Sequence, residues 1–191
     1  PFGVLQIGRS YRNEISPRQG MIRLREFSQA EIQYFMDPRE INSQELGEIG
    51  GIETTILDGR EGSHEMSIRD ASNSLMEYHA IALHLGVALR LFTRMGIPAD
   101  KLRLRQHGVD ERSFYSKDTW DVECLSDSMG WIELVGVAYR TDYDLTQHMK
   151  ESSKSMQVSV EGEKFVPHVV EVAYGVDRPI YCLLESCRDE R

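Results

Sequence analysis

The feature that most restricts the fold is a set of short segments with the period of a strand. "MIRLREF" (21–27) and "LRLRQHG" (102–108) alternate apolar and basic residues, as a strand with one wet face does. "WIELVGVA" (131–138) and "FVPHVVEVAYG" (165–175) add apolar, β-branched strands. Residues 3–15 read as a further strand, joined to 21–27 by the turn "SPRQG" into an antiparallel hairpin. Residues 39–62 read as a Gly-rich loop with a short strand near 52–57. Helical spacing is clearest over 71–95, where Leu75, Tyr78, Ile81, Ala82, Leu85, Leu89 and Phe92 recur at three and four until "GIPADK" stops them. The strand at 131–138 runs into a helix carrying Asp144 to Met149, and 150–165 is a polar surface hairpin. A last helix over "VDRPIYCLLESC" sets Ile180, Leu183, Leu184 and Cys187 on one face. Four or five antiparallel strands flanked by helices predict an α+β domain.

Charge narrows the function. The 191 residues carry a net charge of −9, yet five of the first 25 are arginine and only Glu14 among them is acidic. The rest of the chain holds 17 basic against 30 acidic residues, which excludes a protein that coats nucleic acid with a broad basic face. Local positive charge points instead to a small anionic ligand. Three cysteines without metal spacing suggest reduced thiols in the cytoplasm, and no apolar run is long enough to cross a membrane.

Arginine is the side chain best suited to phosphate, because its planar fork makes two parallel bonds. Arg12 and Arg23 sit on the two arms of the hairpin, Arg105 in another alternating strand, and Arg178 at the head of the last helix. Alternating arginine is also what a solvated strand face looks like, and the pattern leaves both readings open. Glu14, Glu31, Glu133 and Glu171 lie in or beside apolar strands. A carboxylate there is ion-paired, or it holds a cation or an amine. Magnesium would suit such a site, since it takes one or two carboxylates together with phosphate oxygens. The six histidines lack metal spacing, and neither a Ser-His-Asp arrangement nor a GxxxxGK phosphate loop is present.

These residues carry a resemblance. Arg12-Asn13-Glu14, a variable loop, and Arg23 to Phe27 resemble motif 2 of the class II aminoacyl-tRNA synthetases. "YGVDR" (174–178) resembles motif 3. "QIGRSYRNEISPRQGMIRLREFSQAEIQYFMDP", "KLRLRQH", "DTWDVE", "GWIELVG", "RTDYDL" and "VPHVVE" together resemble glycyl-tRNA synthetases of the archaeal and eukaryotic type, over nearly the whole chain. The resemblance implies a partial class II catalytic core over 1–191: the motif 2 hairpin and following segment at 1–38, a mainly helical insertion at 63–98, and the remaining strands with motif 3 at 101–191. Motif 1 and the anticodon-binding domain are expected outside this chain.

The resemblance also implies roles. Arg12 would hold the ATP α-phosphate, Glu14 the adenine amino group and Phe27 the adenine face. Arg23 and Arg178 would hold the β- and γ-phosphates, with Arg105 a further contact and Arg12 and Arg178 as catalytic groups. Glu133 would bind Mg²⁺. Glu31, Glu171 and Ala173 would surround glycine, and Arg18 lies where motif 2 approaches the tRNA acceptor end. The implied partners are glycine, ATP and tRNA(Gly), with a homodimer for the full-length enzyme and no role for DNA or a membrane.

Three departures bear on this. Ala173 stands where the family has a serine that reads glycine, Tyr139 where Asp or Asn is common, and Ser113-Phe114-Tyr115 where Ala-His-Tyr is usual. They keep two alternatives open: a non-catalytic synthetase-like paralogue used as a binding or accessory module, and a synthetase for another small amino acid.

Overall fold

The alternating segments assemble into one eight-stranded sheet in a computed structural model of the chain. The structure describes all residues except 18, 19, 21, 43, 44, 61 and 189–191. In chain order the strands are β1 (Phe2–Tyr11), β2 (Glu26–Met36), β3 (Glu53–Leu57), β4 (Ser63–Ser67), β5 (Leu102–Gln106), β6 (Asp118–Ser126) and β7 (Gly130–Thr141). β8 (Val158–Val160) and β9 (Glu163–Phe165) form a separate hairpin, and β10 (His168–Gly175) returns to the sheet. The order across the sheet is β1-β2-β10-β7-β6-β5-β3-β4. β10, late in the chain, is thereby inserted between β2 and β7. Every pairing is antiparallel except β3 with β5. That parallel pair departs from the all-antiparallel expectation. It follows from the crossover of α1 (Ile68–Ser74) and α2 (His79–Met95), which carries the chain back past the sheet before β5 begins. Helices α3 (Tyr143–Ser152) and α4 (Asp177–Ser186) follow β7 and β10.

The register gives the sheet one dry face and one wet face. Trp120, Val122, Val135, Val137, Val170 and Val172 are all fully buried on the dry face. Against them pack Ile81, Leu85, Leu89 and Phe92 of α2 and Cys182 of α4. Burying such side chains contributes roughly 1.5–3 kcal/mol each. The residues between them, among them Glu31, Gln33, Glu171, Ala173, Gly136, Asp121 and Glu123, project to the opposite, polar face.

Three expectations are corrected. The helix at 71–95 is two helices. Ser67 caps α1 at Asp70 N, while the hydroxyls of Ser72 and Ser74 bond back to the carbonyls of Arg69 and Asp70. Leu75 and Met76 both donate to Ala71 O, and the chain restarts at His79, whose N–H is accepted by Asn42. α2 then ends at Gly96, whose φ of 113° favours glycine. Second, the hairpin arms are offset. The described residues between Tyr11 and Glu26 are not strand, so Arg12, Glu14 and Arg23 lie in the connection between β1 and β2. Arg12 N still donates to Arg25 O, and beyond that pair Arg23 and Arg25 reach across with their side chains to the carboxylate and the backbone carbonyl of Glu14. Third, α4 buries Pro179 and Cys182, whereas Ile180 and Leu184 are exposed. No described helix is long and apolar enough to cross a membrane.

Candidate active site

A cavity of about 350 Å³ opens on the polar face where the β1–β2 connection, β7, β10 and the start of α4 meet. Arg12, Glu14, Arg23, Phe27, Glu133, Ala173 and Arg178 all line it. Residues from separate parts of the chain are thus brought together, among them three of the four arginines expected to converge, Arg12, Arg23 and Arg178. The start of α4 is fixed to β2, because Asp177 accepts the N–H of Ser28 at 2.9 Å and Val176 N donates to Ser28 O at 3.0 Å. That positions Arg178, whose Nη1 donates to the backbone oxygen of Glu133 at 3.0 Å and to its carboxylate at 3.1 Å. Its Nε donates to Ile22 O.

The arginines differ in how they are held. Arg23 donates to the Glu14 carboxylate at 3.0 Å. Among the described residues Arg12 pairs with no carboxylate, and its guanidinium lies 5.5 Å from the centre of the Phe27 ring. That is cation–π range. The cavity therefore combines an aromatic face, a cation without a carboxylate partner among the described residues, and two cations each paired with one carboxylate, Arg178 also with two backbone carbonyls. Arg18, in the same connection, lies outside the described residues. Arg9 reaches Glu26 at 3.7 Å and is mostly exposed, a solvated strand position.

Glu31 and Glu171 lie on the same sheet face, on β2 and β10, next to Ala173. Ala173 is the direct register partner of Glu31, and Gln33 that of Glu171. Glu31 accepts from Gln29 at 3.0 Å and from Gln33 at 2.7 Å. It also lines a second depression with Gln29 and Gln6 to Ser10 of β1. Glu171 accepts from Gln33 at 2.9 Å and from Arg140 at 2.7 Å. Arg140 in turn bonds Asp144 at 2.6 Å and lies 4.4 Å over the ring of Tyr115. Burial works against its charge, but the Asp144 bond and the two nearby carboxylates raise it overall. Glu171 is thus part of a structural ion pair as well as a neighbour of the cavity. Gln29, Gln33 and Arg140 were not singled out by the sequence. The signal for the two glutamines is polar residues at 29, 31 and 33, one strand face, within an otherwise apolar run; Arg140 follows the apolar strand 131–138.

Arg105 does not join the cavity. It is held by Glu111 through two bonds, at 2.6 and 3.0 Å, and by Glu123 at 3.2 Å and Asp121 at 3.5 Å. Its expected role as a phosphate contact is not matched by its position. The physical reason is that β6 places Asp121 directly across from Arg105.

A magnesium ion was expected at Glu133. Among the described residues, no three His, Cys, Asp or Glu side chains gather to cage a metal. A Cβ on Gly136 would stand 3.6 Å from Glu133 Oε1 and 3.8 Å from Asp121 Oδ1, so two carboxylates face the same small residue. Burial raises the Asp121 carboxyl, and the nearby Glu133 charge adds to this, while its bond to His107 opposes it. The donor set fits Mg²⁺ shared with phosphate oxygens, not a closed protein site.

Two departures from the family pattern separate in space. Tyr139 is buried on the dry face against Tyr78, bonded to His168, and does not border the cavity. Burial pushes its phenol up to about 12. Ala173 lines the cavity itself. Only the second borders the cavity.

Comparison with known proteins supplies the frame for this geometry. Residues 1–187 match the tRNA synthetase class II core domain (G, H, P, S and T). A glycine–tRNA ligase of Methanococcus maripaludis strain C5 is 44% identical, with the match covering 100% of this chain and 49% of the relative. A glycine–tRNA ligase of Pyrococcus furiosus is 32% identical over 97% of this chain and 47% of its own length. The chain spans about half the length of the curated relatives it matches. Among solved structures, the Giardia lamblia prolyl-tRNA synthetase in complex with prolyl-adenylate shares the fold, with a TM-score of 0.62 at 12% identity, covering 97% of this chain and 28% of that one.

Proposed function

The chain belongs to the class II tRNA synthetase core-domain family, and from that premise we propose that it forms the ATP- and glycine-binding part of a glycine–tRNA ligase. The observation that carries the reading is the gathering of Arg12, Glu14, Arg23, Phe27, Glu133 and Arg178 in one cavity. ATP enters with its adenine on Phe27 and its α-phosphate at Arg12. The β- and γ-phosphates take Arg23 and Arg178 from their carboxylate partners. Glu14 is then free to accept from the adenine amino group, and Glu133 to hold Mg²⁺, which would add positive charge beside the phosphates. The glycine ammonium lies between Glu31 and Glu171.

Activation needs no side-chain nucleophile. A glycine carboxylate oxygen forms a bond to the α-phosphorus. The bond to the bridging oxygen breaks, and pyrophosphate leaves with the electron pair. The protein contributes position and neutralisation of charge that develops in the transition state. Glycine then passes to the terminal adenosine of tRNA(Gly). A pocket for the smallest amino acid excludes larger ones by size, so editing is not required. Ala173 lacks the hydroxyl expected there, and one lost hydrogen bond weakens glycine binding by about 0.5–1.5 kcal/mol without abolishing it. This reading places the enzyme in the cytoplasm, as a homodimer in its full-length form. Residues 1–38 and 101–191 supply the site, and 63–98 is largely helical support.

Glycine-dependent ATP–pyrophosphate exchange in the full-length protein tests the reading. Arg12→Ala is expected to lower the exchange rate about 100-fold or more. Exchange that survives the change intact removes Arg12 from the mechanism. Absence of ATP binding by the intact protein favours the non-catalytic paralogue, and a panel of small amino acids decides the substrate.

A further inference from the structure

Gln33 is bonded to two carboxylates at once, and no step above uses it. Its Nε2 donates to Glu31 Oε1 at 2.7 Å and to Glu171 Oε2 at 2.9 Å. A side-chain amide nitrogen carries two hydrogens, so both are engaged. The register places Glu171 directly across from Gln33, and Glu31 two residues away along the same strand face. Gln29 fixes the other oxygen of Glu31 at 3.0 Å, and Arg140 shares Glu171 Oε2 at 2.7 Å. Glu171 Oε1 has no donor among the described residues, and each bonded oxygen of Glu31 retains a lone pair.

Position 33 is therefore chemically demanding. Two like charges on neighbouring strands repel and would separate without a link. A Lys or Arg there would add a second cation beside Arg140 and cancel the negative field that an ammonium needs. A Glu would add a third carboxylate. A hydrocarbon would leave Glu31 held by Gln29 and Glu171 by Arg140, with nothing fixing one acid against the other. A neutral group with two donors on one atom satisfies both acids and leaves their charge in place.

We propose that Gln33 is a positioning residue of the amino-acid subsite, holding Glu31 and Glu171 at a fixed separation so that the ammonium of one small α-amino acid is received between them. The proposal rests on the reading that these two carboxylates face the ammonium. It adds that their geometry is set by an uncharged third residue that does not itself touch the reacting atoms.

Gln33→Met keeps the length of the side chain and removes both donors. In the full-length protein, the exchange assay is expected to show KM for the amino acid raised about tenfold or more. KM for ATP and the melting temperature stay at wild-type values. An amino-acid KM within twofold of wild type overturns the proposal. So does an equal rise in KM for ATP, or a melting-temperature drop that accounts for the loss, because either assigns Gln33 a purely structural role. Gln33→Leu replaces Gln33→Met where the latter does not fold. If the wild-type protein activates a different small amino acid, the same comparison is made with that one, so the glycine reading fails separately from this proposal. No exchange with any amino acid overturns both.

Discussion

Two sets of arginines lie on the same side of the sheet and have opposite fates, one projecting from β5 and the other carried by a loop and a helix start. On β5, Arg103 and Arg105 are paired with buried carboxylates. Arg103 donates to Glu123 at 2.7 Å and lies 3.7 Å over the ring of Trp131, and Arg105 is held by Glu111, Asp121 and Glu123. In the cavity, Arg12 lies against Phe27 and, among the described residues, pairs with no carboxylate, while Arg23 holds Glu14 and Arg178 holds Glu133 and two backbone carbonyls in partly exposed positions. The strand next to each set explains the difference. β6 carries Asp121 and Glu123 directly opposite Arg105 and Arg103. The cavity arginines sit at a loop and a helix start, where no ladder supplies partners. Arginine with buried carboxylates across the strand is structural. Arginine with few or exchangeable partners is available to a phosphate.

Removing a shared partner from the β5 set is expected to break this contrast most strongly. Glu123 is only 9% exposed at its side chain and serves both β5 arginines. Glu123→Ala leaves two cations short of a partner in a partly buried site. Urea unfolding is expected to show a loss of about 3 kcal/mol. A loss under 1 kcal/mol would make the β5 cluster no more structural than the cavity.

Titration separates the two regions next. His107 donates to or accepts from Asp121 at 2.7 Å, and that bond raises the imidazole above its ordinary value. Asp121 is raised too, chiefly by burial. Each group binds protons more readily in the folded state than in the unfolded state, so both give the same sign: stability falls as pH rises. The His107 contribution is fully present below about pH 6.5 and is lost as pH climbs through its raised folded value. Unfolding midpoints at pH 6 and pH 8 are expected to differ more in the wild type than in His107→Gln. Equal differences would detach His107 from the cluster.

The smallest stability effect is expected in the cavity. Arg23 is 61% exposed, and its pair with Glu14 contributes little in water. Arg23→Gln is expected to change unfolding free energy by under about 0.5 kcal/mol while raising KM for ATP. A stability loss as large as that of Glu123→Ala would place Arg23 with the structural set.

The two sets also mark how far the sequence could be read. "LRLRQ" and "MIRLREF" look alike, yet the first is β5 and the second is mostly a loop that joins β2 only at Glu26. Period two records which residues share a face, not whether a neighbouring strand is there to pair with. The split of 71–95 was likewise hidden. Its apolar spacing continues through the break, and the backbone bonds that end α1 are made locally by Ser72 and Ser74. Tyr139 and Ala173 looked equally relevant to selectivity until the pleat put one in the core and the other in the cavity.

By itself the sequence determined most of the alternating strands, the α2 stop at Gly96, the motif residues and hence the family, because periodicity, capping and short motifs are local properties. Only the tertiary structure decided which charges face one another. β10 enters between β2 and β7, and with it Glu171 meets Gln33 on one side and Arg140 on the other. Those partners are 138 and 31 residues away along the chain. No local pattern encodes such distances, and the pairing of strands alone brings the residues together.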